Sequence, residues 1–286
     1  MAAIVCACAV YFWPSPSPRA MLACLPPGEG PTLYLDVALL RHTGILEQLA
    51  GKPSGEDPEY RRFVEASGFD YRRDLDAALV QWRRGTALVV LKGRFDQARL
   101  EDYAGANGGQ CVRSFCSLAG SVPERRISFQ PLGGRLLALS AGTDPMGAAA
   151  IRENASQPGF VSPGGPAWLS LPASSFRAEP DLPPGLSLVL ESLQGAQRAL
   201  LTLEIHSDGL ELALTAPCAT SGKAQGIADR LTGATSALKD LIARSGRSPE
   251  PASPAAALAG GTFRVEQTVV RGRWPLSREL LEGLGK

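Results

Sequence analysis

The sequence predicts an α+β fold of two similar lobes, each built of antiparallel β-hairpins with helices packed on one face of the sheet. Three observations carry this. First, Leu201, Leu203 and Ile205 alternate with Thr202, Glu204 and His206, and Leu210, Leu212 and Leu214 alternate with Glu211, Ala213 and Thr215. That period of two marks a strand pair with one buried face, and Asp208-Gly209 at the reversal suits a tight hairpin turn. Pairing Ser207 with Leu210 would set Ile205 opposite Leu212 and Leu203 opposite Leu214. Second, two more alternating pairs flank turn residues, Leu75–Trp82 with Thr86–Gly93, and Arg126–Pro131 with Arg135–Ser140. Third, Ala224, Ile227, Ala228, Leu231, Ala234, Leu238, Leu241 and Ile242 recur at spacings of three and four, the apolar stripe of a long helix over Ser221–Ala243.

The remaining elements follow in order. Thr32–Val37 is a strand, and Asp36 stands where an N-cap accepts a backbone hydrogen bond for the helical residues after it. Ile45–Ala50 and Pro58–Ser67 are short helices, the second with Pro at its first turn and Tyr60, Phe63 and Val64 as its stripe. A helix from Asp96 through Tyr103 stops at Asn107-Gly108-Gly109, where glycine ends a helix and no phosphate loop is formed. Asp144–Asn154 is expected to be helical. After the irregular 155–166 come a strand at Ala167–Leu171 and a helix at Leu186–Ala196. A Pro/Ser linker at Ser245–Pro254, a single last strand over Thr262–Arg271 and a terminal helix over Pro275–Leu284 complete the chain. Element order is therefore echoed between residues 25–154 and 167–286, with 155–166 as linker, 1–24 as an apolar segment and Pro/Ser spacer, and Asp76–Trp82 answering Arg198–Glu204.

Ala2–Trp13 is apolar and uncharged, short for a membrane span of about twenty residues and within the length of a signal-peptide apolar region. No Lys or Arg precedes it, as if the start truncated a longer segment. An uncleaved anchor is preferred over a cleaved signal, over lipidation of Cys24, and over a buried N-terminal helix in a cytoplasmic protein. A formal net charge of +1 argues against nucleic acid as partner. The Arg-Arg pairs, each with acidic neighbours, read as solvated surface, as do Asp74 and Asp76.

Familiar chemistry is not found. The two histidines, His42 and His206, lie far apart, and no HExxH, CxxC, nucleophile elbow or phosphate loop occurs. No catalytic residue, cofactor or metal set is expected. Cys111 and Cys116 bracket Val112–Phe115, and a disulfide could close that loop provided a turn lies between them. Such a bond belongs to an oxidising compartment. Cys218 has no evident partner.

Leu25-Pro26-Pro27-Gly28 followed by Leu33–Arg41, the run Gly68–Tyr71 with Asp74–Asp76, and Gly93–Asp96 resemble uncharacterised bacterial membrane-anchored envelope proteins with an α+β extracytoplasmic body. The resemblance implies a fold and a periplasmic location at the cell membrane, and brings no catalytic residues. The expected role is a non-enzymatic binding or scaffold protein. Its partner would be a protein, peptide or lipid, held on sheet faces or in an inter-lobe groove that Trp82, Trp168 or Trp274 could line. The competing expectation is a hydrolase with acids such as Asp36 in an inter-lobe cleft; a third is a cytoplasmic scaffold.

Overall fold

A computed structural model describes residues 17–50, 58–122, 124–133, 135–155, 162–177, 184–207, 209–244, 254–277 and 280. The expected anchor, Ala2–Trp13, lies outside them. Among the described residues no helix is long and apolar enough to cross a membrane.

The hairpins assemble into one 12-stranded antiparallel sheet. In the first half, strands β1 (Thr32–Leu35), β2 (Leu75–Arg83), β3 (Thr86–Gly93), β7 (Leu136–Gly142), β6 (Arg126–Leu132), β5 (Phe115–Ala119) and β4 (Gln110–Val112) lie side by side in that order. In the second, the order is β8 (Ala167–Pro172), β9 (Arg198–His206), β10 (Gly209–Pro217), β12 (Val269–Leu276) and β11 (Thr262–Glu266). The halves join where β1 pairs with β8, Leu33 opposite Leu169 and Tyr34 opposite Trp168. Read outward from that seam, each half lays down a strand, a hairpin partnered to it, then a second hairpin in reverse, and the first half adds a third hairpin, β5 with β4, at its outer edge. The expected echo is present in topology, and the two sheets meet edge to edge.

Register assigns the faces. Leu33, Ala78, Leu91 and Leu137 share one face with Leu169, Leu201, Leu203, Leu212 and Trp274. Helices cover this face in both halves. Over the first lie α4 (Pro58–Ser67) and α6 (Gln97–Ala106); over the second lie α7 (Pro184–Ser192), α8 (Ser221–Arg244) and α9 (Pro254–Ala259). Between them α2 (Val37–His42) and α3 (Ile45–Ala50) set Leu40 and Ile45 against Leu203. Asp36 caps α2, its Oδ1 accepting from Leu39 N at 2.9 Å. The short α5 (Tyr71–Asp74) leads into β2.

Among the described residues the opposite face is covered only at the centre. Helix α1 (Pro18–Cys24) sets Met21, Leu22 and Cys24 against Leu79, Val90, Ala138 and Trp168. The spacer reading of this stretch is thus corrected at Pro18: proline occupies the first turn of a helix, where its missing N–H costs nothing, and Ser17 caps it. Central strands are therefore buried on both faces, which is why β2 shows no clean alternation.

Other expectations change in detail. The hairpin register is shifted by two: Ile205 faces Leu210, Leu203 faces Leu212 and Leu201 faces Leu214. A shift of two preserves which face each side chain occupies, so the buried set survives. The helix expected over Asp144–Asn154 is only a 3₁₀ turn, Gly147–Ala150. Gly147 lies against Ser140, where a Cβ would collide, and Ile151 turns extended so that Arg152 N can donate to Cys24 O. The single last strand is a hairpin, since Gln267 takes a left-handed φ and reverses the chain. Pro275 and Leu276 belong to β12, paired with Glu211 and Leu210, not to a helix; residues 281–286 lie outside the described set. Helix α9 falls at the end of what read as a linker, and the α7 helix ends at Ser192, short of Ala196.

Candidate functional site: an apolar cavity in the second lobe

The plan of the second lobe leaves a space between sheet and helices. The floor is Leu169 and Leu171 from β8, Leu201 from β9, Leu212 and Leu214 from β10, and Trp274 from β12. The roof is Leu186, Val189, Leu190 and Leu193 on and just after α7, with Leu258 from α9. Together they enclose a cavity of about 320 Å³. The indole N–H of Trp274 donates to Leu258 O at 3.2 Å, so its polar edge is satisfied and the ring presents carbon to the space. Phe263 meets the same ring edge-on at 5.2 Å. The lining is apolar apart from Ser175 and the exposed Arg177, and Leu186 is 38% exposed. Among the described residues no carboxylate pairs with Arg177.

Such a space does not suit water, which needs two to four polar partners to stay. It suits a narrow apolar ligand, and its volume lies at the low end of the roughly 300–1,000 Å³ of small-molecule sites.

The first lobe holds a larger, more open groove of about 690 Å³ at the β2–β3–β7 end, lined by Asp74, Arg94, Arg99 and Arg135. Its charges are committed to structure. Asp74 is 6% exposed and accepts from Arg73 Nη2 at 2.7 Å and Asp70 N at 3.0 Å, with Arg94 Nη2 3.0 Å away. The Arg73 guanidinium holds the Asp74 carboxyl down at about 2 despite burial, which pulls the other way. Arg135 pairs with Asp76 at 3.1 Å. Arg99 donates to Ala66 O at 3.0 Å and to Glu65 O, at the end of α4. The reading of Asp74 and Asp76 as solvated acids is corrected: both anchor arginines.

The remaining residues of interest disperse. Asp36 caps α2. His42 ends that helix, and His206 ends β9. Trp168 is buried against Tyr34, with ring centroids 5.5 Å apart, while Trp82 is 43% exposed. Of Trp82, Trp168 and Trp274, the last lines the apolar space, whose lining comes from the second lobe apart from Pro31. Cys111 and Cys116 form a disulfide across the β4–β5 pair. The turn it requires is made by Arg113 and Ser114, both at left-handed φ. Cys24 and Cys218 are free and buried.

No protein-family model and no curated protein matches the chain. Solved structures of TP0453 are similar to it in outline. Its crystal form IV aligns at a TM-score of 0.47 and 10% identity over 93% of this chain and 96% of that one. Crystal form I aligns at 0.46 and 10% over 94% and 99%. At this level the likeness assigns neither a family nor an activity.

Proposed function

We propose that this protein is a non-enzymatic carrier or receptor for a single-chain amphiphile. Its hydrocarbon chain occupies the second-lobe cavity and its acidic head lies at Arg177. The observation that carries this reading is the aliphatic cavity itself: about 320 Å³ bounded by Leu169, Leu201, Leu212, Val189, Leu190 and Trp274. Burying apolar surface there supplies the affinity, at roughly 25 cal/mol per Å². A volume at the small end of the ligand-site range favours one chain over two. The body works outside the cytoplasm, held at the cell membrane by Ala2–Trp13, and the Cys111–Cys116 disulfide supports an oxidising compartment.

The test is displacement of a fluorescent fatty acid from the purified protein. Saturable one-to-one binding is expected. Leu201→Trp should weaken it roughly tenfold or more by filling the space. Arg177→Glu should weaken a fatty acid but leave a fatty alcohol of equal length unchanged. Absence of binding to the folded wild type, or equal binding by Leu201→Trp, overturns the reading.

A further inference from the structure

The uncovered face of the second lobe carries a different chemistry. Glu204 and His206 are two apart on β9 and so share that face. Glu211 on β10 is directly opposite Glu204. The hairpin thereby brings an imidazole and two carboxylates together, with one ligand atom of each lying within 4.8 Å of the other two. His206 Nε2 is 3.5 Å from Glu204 Oε2, close to the edge of about 3.3 Å that ligands 2.0–2.1 Å from a tetrahedral Zn²⁺ define.

Two observations separate this set from ordinary surface acids. Like charges directly opposite on paired strands repel, and here both members of the cross-strand pair are glutamates. In addition, Glu211 Oε1 is shielded from solvent yet accepts no hydrogen bond. Arg273 Nη1 stands 3.5 Å from that oxygen as an ion pair without hydrogen-bond geometry, so it offsets part of the charge and leaves the lone pairs unused.

We infer that Glu204, His206 and Glu211 form a divalent transition-metal site, with zinc the cation its donor set fits. A +2 ion balances the two carboxylates. One imidazole nitrogen beside carboxylate oxygens suits zinc better than calcium or magnesium, which favour oxygen ligands throughout. Three protein ligands leave a position for water. For the ion to sit at bonding distance, Glu211 and Arg273 move apart slightly. The bound metal would pin β9 to β10 from the face opposite the cavity. Paired histidines do not mark this set, which has one histidine and depends on hairpin register.

The experiment titrates Zn²⁺ into the full chain by calorimetry, with Co²⁺ as a spectroscopic substitute. One equivalent should bind, with Co²⁺ showing d–d bands free of thiolate charge transfer. His206→Ala and Glu204→Gln should each weaken binding by roughly tenfold or more, while His42→Ala leaves it unchanged. These side chains are partly exposed, and circular dichroism of each variant confirms that it is folded. No zinc uptake by the folded wild type, unchanged affinity in His206→Ala, loss in His42→Ala, or thiolate bands from Cys24 or Cys218 would each overturn the site.

Discussion

The two lobes share a strand plan and differ in what fills the layer beneath their helices. In the first, aromatic rings interlock, Phe63 edge-on to Tyr103 at 5.1 Å and Phe69 stacked on Phe95 at 5.0 Å, and the space beside them is an open groove of about 690 Å³ lined by charged side chains. In the second, the core is mainly aliphatic, with Phe176 and Trp274 as its buried rings, and the space left is an apolar cavity of about 320 Å³. One topology therefore leaves a charged groove or an apolar cavity according to the side chains that line it, since interiors close only when volumes match the gap. The character of the space is a property of the filling and not of the architecture.

Truncations should separate the lobes most clearly. Phe63→Ala removes a ring from the interlocked first-lobe cluster and is expected to cost about 3 kcal/mol. Leu190→Ala removes a half-buried side chain that borders a space and makes fewer contacts, and the expected loss is about 2 kcal/mol. Urea denaturation of both variants measures the difference; equal losses would show that the cavity walls bear on one another as tightly as the aromatic rings do.

The outer edges offer the next contrast. The first lobe ends in a disulfide-closed hairpin, the second in β11, which has no such bond. Replacing both Cys111 and Cys116 by serine should lower stability by roughly 2 kcal/mol, from the loop entropy returned to the unfolded chain. Hydrogen exchange should localise the loosening to β4 and β5.

Overpacking should then have opposite signs. Ala104→Leu, at a fully buried position of the first-lobe aromatic cluster, is expected to destabilise by about 1–2 kcal/mol. Leu201→Phe, facing the cavity, should be neutral or slightly stabilising. A destabilised Leu201→Phe would mean that the space cannot accept added carbon, and would weaken the proposed ligand site with it.

The smallest expected effect is electrostatic and confined to the first lobe. Asp74 titrates lower in the folded chain than in the unfolded one, because the folded state holds its anion against Arg73 and Arg94. The stability it contributes is complete above about pH 4 and is lost as pH falls toward 2. Asp74→Asn should flatten that part of the acid-unfolding profile, whereas a cavity variant should leave it intact.

Much of this was legible beforehand where one face is buried and the other wet. The alternating residues of β9 and β10, the stripe of α8 and the Asp36 cap all follow from local periodicity and capping chemistry. The register of β9 against β10 differs from the local reading because β9 ends at His206 and β10 starts at Gly209, and both candidate pairings keep the same faces. Strands β4 and β5 are too short to carry a period, although the cysteines inside them pointed to the turn. The Gly147–Ala150 turn kept its alanines but lost its helix to docking on β6 and β7, where Ala148 N donates to Ser128 Oγ and Gln130 Nε2 donates to Ala148 O, tertiary contacts invisible in local sequence. The cavity was illegible because it depends on the difference in volume between leucines and the gap they face. Leu186, Val189, Leu190 and Leu193 recur at the spacing of a single apolar helix face, which in the sequence is indistinguishable from an ordinary core stripe.

The β1–β8 seam has a further consequence. Two separate sheets would present four open strand edges to neighbouring chains, each a template for intermolecular pairing. Fusion at Thr32–Leu35 leaves β4 and β11 as the outer strands of the sheet. One is a three-residue strand locked by a disulfide, and the other carries the charged pair Arg264 and Glu266, 2.7 Å apart. Joining the halves thus guards the chain against self-association as well as doubling its plan.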